Sequence, residues 1–120
     1  MVLTVYGISN CDKVRKIQRW LQENNIDYKF HDYKKHGCDE LLVKNILIQF
    51  NFQEVINTRG TTWRKLPDAI KNPLNEKKAA SLMRDNPSII KRPILEFYGK
   101  WILGSDTKTL IKMLEHHRHP

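Results

Sequence analysis

Apolar positions along this chain switch between two periods, and the switches outline its elements. Val2–Tyr6 is apolar and β-branched, stops at Gly7, and predicts a strand. From Asp12 to Glu23, apolar residues fall at Val14, Ile17, Trp20 and Leu21, the spacing of one helical face, and Asn24-Asn25 ends the stretch. Ile26–Phe30 then alternates with period two and predicts a second strand. The intervening helix is long enough for a crossover, so the two strands are expected to be parallel with right-handed connection.

The second half carries more helix. Asp39 or Glu40 through Phe50 reads as a helix with Leu41, Leu42, Ile46 and Phe50 on or near one face, and Val55–Leu66 reads as a loop. Pro67 and Pro73 limit helical pieces nearby to short ones. Asn75 can cap a helix over Glu76–Arg84, which Asn86-Pro87 ends. Pro93 opens a strand at Ile94–Phe97, and Gly99-Lys100 turns it back into Trp101–Leu103 as a hairpin. Ser105 or Asp106 caps a last helix with Leu110, Ile111 and Leu114 facing inward. The expected fold is therefore α/β: a thioredoxin-like βαβ–ββα with a four-stranded mixed sheet and a helical insertion over residues 39–86. Residues 1–114 are expected to form a single domain.

Composition narrows the function classes. At 120 residues, with 40% hydrophobic and 28% charged residues, the chain suits one ordinary folded domain. No apolar run approaches the roughly 20 residues that span a bilayer, and Met1–Tyr6 reads as a strand rather than a signal peptide. The net charge of +8 is scattered instead of gathered into a basic arm, so it suits small anions, glutathione or an acidic protein as well as it suits nucleic acid. Residues 115–120, with His116, His117 and His119, read as a native or tag-derived tail and carry no metal site in this reading.

Two cysteines, Cys11 and Cys38, are too few for a secreted disulfide framework, and neither stands in a zinc-type pair; a cytoplasmic protein is expected. Cys11 lies where the first strand hands over to the first helix. A thiol there faces unpaired backbone N–H groups and the positive end of the helix dipole, which favour the nucleophilic thiolate. Lys13, Arg15 and Lys16 add positive potential. The plainer reading is an inert buried cysteine, since free cysteine is among the most buried residue types.

Three blocks of sequence shift that balance. Tyr6-Gly7-Ile8-Ser9-Asn10-Cys11-Asp12 with Trp20-Leu21, then Asn57-Thr58-Arg59-Gly60-Thr61-Thr62-Trp63-Arg64-Lys65-Leu66, then Ile89-Ile90-Lys91-Arg92-Pro93-Ile94-Leu95 with Gly99-Lys100 and Leu103-Gly104 resemble the ArsC/Spx/YffB family. The Thr-Arg-Gly-Thr-Thr-Trp-Arg segment is most similar to the YffB branch. The resemblance implies a thioredoxin fold, Cys11 as nucleophile, Arg59 and Arg92 as anion-binding side chains, and Pro93 as a cis proline beside the active cysteine. Asn10 would shape the loop. Arg15 matches an arginine found four residues after the nucleophile in the reductases, and it reads equally as a solvated helix residue. Trp63, Thr61 and Thr62 would order the loop that carries Arg59.

The chain also departs from its relatives. Where the arsenate-reductase branch has a histidine four residues before the cysteine, this chain has Gly7, and Ser105 and Asp106 stand where that branch has a third arginine. Val14 replaces the second cysteine of the Spx-type Cys-x-x-Cys. Cys38 reads as an incidental surface or semi-buried thiol, with a resolving role as the alternative. The expected activity is thiol oxidoreduction by a single cysteine without a bound cofactor, with glutathione as co-substrate and glutaredoxin as a second possible partner. The rival readings are arsenate reduction and an Spx-like regulator that binds the RNA polymerase α subunit.

Overall fold

The computed structural model describes residues 3–118, with side chains through Glu115. Along the chain these form β1 (Leu3–Gly7), α1 (Asp12–Glu23), β2 (Tyr28–Asp32), α2 (Tyr33–His36), α3 (Glu40–Gln49), α4 (Phe52–Val55), α5 (Thr61–Lys65), α6 (Asp68–Lys71), α7 (Glu76–Asp85), a 3-10 turn (Pro87–Ile89), β3 (Ile94–Phe97), β4 (Lys100–Leu103) and α8 (Thr107–Arg118). Val2, His119 and Pro120 lie outside the described residues. The described residues divide into two units, 3–31 with 92–118, and 32–91.

The first unit is built on a mixed four-stranded sheet in the order β2-β1-β3-β4. β1 pairs antiparallel with β3, Val5 opposite Leu95 and Tyr6 opposite Ile94, and β3 pairs antiparallel with β4. This is the thioredoxin-like arrangement expected from the element order. Alternation along β1 buries Leu3 and Val5 on one side, where they meet Ile17 and Leu21 of α1, Leu95 of β3, and Leu110 and Met113 of α8. The other side carries an aromatic row in which Tyr6 stacks on Trp101 at 5.7 Å between ring centroids and tilts against His31 at 5.2 Å.

The second unit packs α3 against α7, burying Val43, Ile46, Ala79, Leu82 and Met83. A β-bridge between Ile56 and Ile90, flanked by the Asn57 N–H to Ile89 carbonyl bond (2.7 Å) and the Lys91 N–H to Val55 carbonyl bond (2.8 Å), ties its middle to its C-terminal end.

Several expectations need correction. The segment read as a loop from Val55 to Leu66 contains α5, and the end of α4, because Asn51 and Glu54 form a reciprocal capping box that nucleates a turn. On α3 the buried face is Val43 and Ile46, and Leu41 is 66% exposed. On α8 the inward positions are Leu110 and Met113, with Ile111 exposed; the helix also continues past Leu114 to Arg118, into what was read as a tail. In both helices a continuous apolar run offered two overlapping stripes, and packing chose between them.

Candidate functional site

Helix caps separate α1 from its neighbours. Asp39 caps α3 by accepting the Leu42 N–H at 2.8 Å, and Asn75 caps α7 by accepting the Lys78 N–H at 2.8 Å. Asp106 accepts the Lys108 N–H at 3.0 Å and the Thr109 hydroxyl at 2.8 Å at the start of α8. At α1 the cap is Cys11, in extended backbone, and its side chain closes no cap hydrogen bond. An oxygen cap there would add about 1 kcal/mol to the helix. Its absence leaves the orphan N–H groups of the first turn to act on sulfur instead.

Cys11 is half-buried. Burial pushes its thiol up, but the Val14 N–H, a hydrogen bond from the Arg92 side chain, the Lys13 N–H and the charge of Arg92 together outweigh that and hold its pKa below the ordinary thiol value. These donors favour the thiolate, the form that attacks. The cation acting on sulfur thus comes from a segment some eighty residues away, just before β3. Nearby Arg15 is exposed and engages the Asp12 carboxylate, and Asn10 is exposed in the loop before α1.

The Arg92–Pro93 peptide bond is cis and Pro93 is buried, its carbonyl accepting the Gly104 N–H at 2.8 Å. Asn72–Pro73 is also cis. The first unit therefore brings together Asn10, Cys11, Arg92 and Pro93, with Arg15 on the solvent side of α1. Arg59 belongs to the second unit. There it is exposed on a turn in which the Asn57 carboxamide accepts the Arg59 N–H at 3.1 Å, directly ahead of α5. Trp63 on α5 lies 5.7 Å from the Lys71 ammonium.

Cys38 is buried at 3% exposure rather than lying at the surface. Burial, reinforced by the Asp39 charge, pushes its thiol up to about 12. A neutral thiol of this kind is a poor nucleophile.

Sequence reasoning missed the part Val14 plays. It was read only as a core position and as the place of a missing cysteine, yet its N–H is the foremost donor acting on Cys11. The available signal was its place three residues after the cap, where an N-cap side chain finds its partner.

The chain is similar to several known proteins. The ArsC family pattern matches residues 6–113. A solved YffB protein is 40% identical, with 92% of this chain and 97% of that one covered and a TM-score of 0.88. An arsenate reductase (ArsC) related protein from Brucella melitensis is 39% identical, covering 93% of each chain with a TM-score of 0.74. The global transcriptional regulator Spx of Enterococcus faecalis is 31% identical over 97 residues, which is 78% of this chain and 72% of the relative. The match over nearly the whole length, cysteine loop included, makes this chain a member of the ArsC family.

Proposed function

We propose that this protein is a thiol oxidoreductase that works through the single nucleophile Cys11 and is recycled by glutathione. The observation that carries the reading is the Cys11 sulfur at the N-terminal cap of α1, where the first-turn N–H groups and Arg92 act as donors and lower its thiol. The thiolate attacks the glutathione sulfur of a glutathione mixed disulfide; a Cys11–S–S–glutathione bond forms, and the substrate sulfur leaves as thiolate and takes a proton. Glutathione thiolate then attacks the Cys11 mixed disulfide, giving oxidised glutathione and free Cys11 thiolate. The net change converts one reduced glutathione and the mixed disulfide into the free substrate thiol and oxidised glutathione. With Cys38 buried and neutral, an external thiol is the natural resolving group, and a reducing compartment such as the cytoplasm supplies it. No described helix is long and apolar enough to cross a membrane.

Within this reading Arg92 also holds an anionic group of the substrate beside the sulfur, Asn10 shapes the loop, and Pro93 belongs to the segment that carries Arg92. Arg59 and Arg15 are assigned as further anion-holding side chains. Arginine suits the task because its planar fork of donors matches a carboxylate or oxyanion.

Mass spectrometry after incubation with oxidised glutathione tests the proposal. One glutathione adduct on Cys11, absent from Cys38 and released by added reduced glutathione, is the expected result. A Cys11 that stays unmodified in folded protein overturns it.

Arsenate reduction is the second reading, favoured by the kinship with the Brucella protein. Arsenate-dependent oxidation of glutathione that disappears in Cys11→Ser is its signature, and no arsenate-dependent turnover by folded protein dismisses it. Asp106, a carboxylate already engaged as a helix cap near the position of the missing arginine, argues for the first reading.

A further inference from the structure

Gly7 closes β1 and is buried. Its φ lies outside the left-handed region, so conformational freedom is not what the position uses. Space is. A Cβ built on Gly7 would lie 2.6 Å from Val14 Cγ2 and 3.4 Å from Val14 Cγ1. Val14 is fully buried, and a β-branched side chain in a helix holds essentially one χ1 rotamer, so it has little room to turn away. The missing side chain lets the first turn of α1 rest directly on the end of β1.

This seat lies between two parts that must meet. Cys11 caps α1 and its carbonyl accepts the Arg15 N–H at 2.9 Å, so the thiol moves with the helix. Arg92 moves with the sheet: Tyr6 pairs with Ile94, and Gly7 and Pro93 are the next residues along the two strands. We propose that Gly7 is a positioning residue, which by admitting Val14 against the strand end sets the distance between the Cys11 sulfur and the Arg92 guanidinium. The inference rests on the thiolate reading of Cys11 given above and names the contact that tunes it. A side chain at residue 7 forces the first turn outward by about 1 Å, because carbon atoms settle at roughly 3.5–4.0 Å. A displacement of that size is enough to break a hydrogen bond.

The lowered Cys11 thiol depends on Arg92 both by hydrogen bond and by charge, so it reports the distance. The experiment measures iodoacetamide alkylation of Cys11 against pH in the full chain, for wild type, Gly7→Ala, Val14→Ala and the double variant. Gly7→Ala is expected to slow alkylation at neutral pH about three- to tenfold and to move the titration midpoint upward, each pKa unit being tenfold in thiolate below the midpoint. Val14→Ala, which keeps the backbone N–H facing Cys11, supplies the reference midpoint for a trimmed residue 14. The double variant returns to it, because the Cβ of residue 14 lies 3.6 Å from the added carbon, an ordinary contact.

An unchanged midpoint in folded Gly7→Ala overturns the proposal, and so does a double variant that fails to restore it. Should Gly7→Ala alone not fold, the double variant decides: folded with the midpoint of Val14→Ala it supports the seat, and unfolded or with a midpoint above that of Val14→Ala it overturns it. Glutathione turnover is not the readout, so its absence in wild type would strike the proposed function while the midpoints still judged the seat.

Discussion

The two cysteines sit in different units and have opposite chemistry. Cys11 caps a helix at the end of a strand, half-exposed, with backbone N–H groups and an arginine turned towards it. Cys38 follows Gly37 at the end of α2, is closed off from water, and has the carboxylate of Asp39 as its charged neighbour. Both lose solvation on folding, which by itself raises a thiol pKa. The sign of the outcome depends on what replaces the water: donors and a cation at Cys11, only an anion at the more deeply buried Cys38. The partners the fold supplies decide whether a cysteine's thiolate is favoured, and of the two only Cys11 has partners that favour it.

The contrast should break first in activity. Cys11→Ser is expected to abolish glutathione-disulfide turnover, a loss of at least several orders of magnitude for a covalent nucleophile, while Cys38→Ser leaves turnover per folded molecule unchanged. Steady-state assays of the two variants side by side check this, and comparable losses would erase the distinction.

Arg92→Ala is the next largest effect. Removing a charged donor is expected to raise the Cys11 midpoint and slow alkylation at neutral pH by roughly tenfold, about 1.4 kcal/mol, with the rate recovering at alkaline pH where the thiolate forms without help. Arg15→Ala, which removes a cation already engaged by Asp12, should leave the midpoint close to wild type.

Stability against pH should show the two thiols with opposite slopes. The folded pKa of Cys11 is below its unfolded value, so its contribution is present above the unfolded pKa and is lost as pH falls through the lowered folded value. The folded pKa of Cys38 is above its unfolded value, so its contribution is complete below 9.0 and is lost as pH rises towards about 12. Urea titrations between those two pH values should lose stability less steeply for Cys38→Ala than for wild type, once the constant cost of the cavity is subtracted.

Caps give the smallest effects. Asn75→Ala is expected to cost about 1 kcal/mol by removing the bond to Lys78. Cys11→Ser should go the other way, gaining up to about 1 kcal/mol as a hydroxyl takes the Val14 N–H. Thermal unfolding that shows Cys11→Ser no more stable than wild type would deny that α1 forgoes an oxygen cap by placing a sulfur there.

Local pattern carried much of this fold. α1 begins and ends where its apolar face and the Asn24-Asn25 stop require, and Asn75 caps α7 as its residue type suggests. The ββα close followed from Pro93, the turn at Gly99, and the apolar strands on either side. Period failed where apolar residues were too dense to mark one face. Leu41 looked like core and is exposed, Ile111 gave way to Met113, and the run before Leu66 hid a helical turn in what looked like a loop.

For the site, the sequence by itself determined which residue is the nucleophile's candidate and that a helix start would lie beside it, because strand, cysteine and helix are contiguous and helix termini always leave donors open. It also placed Arg92 and Pro93 among the site residues, through kinship alone. Only the tertiary structure decided which cation reaches the sulfur. Lys13, Arg15 and Lys16 are closer in the chain, but a helix points residues at these offsets along its flanks and into solvent, whereas pairing of β1 with β3 carries Arg92 across to the cap. The same pairing explains Gly7: a glycine within a strand looks like a weak strand former in sequence, and becomes the point where helix and sheet are allowed to touch once Val14 is seen against it.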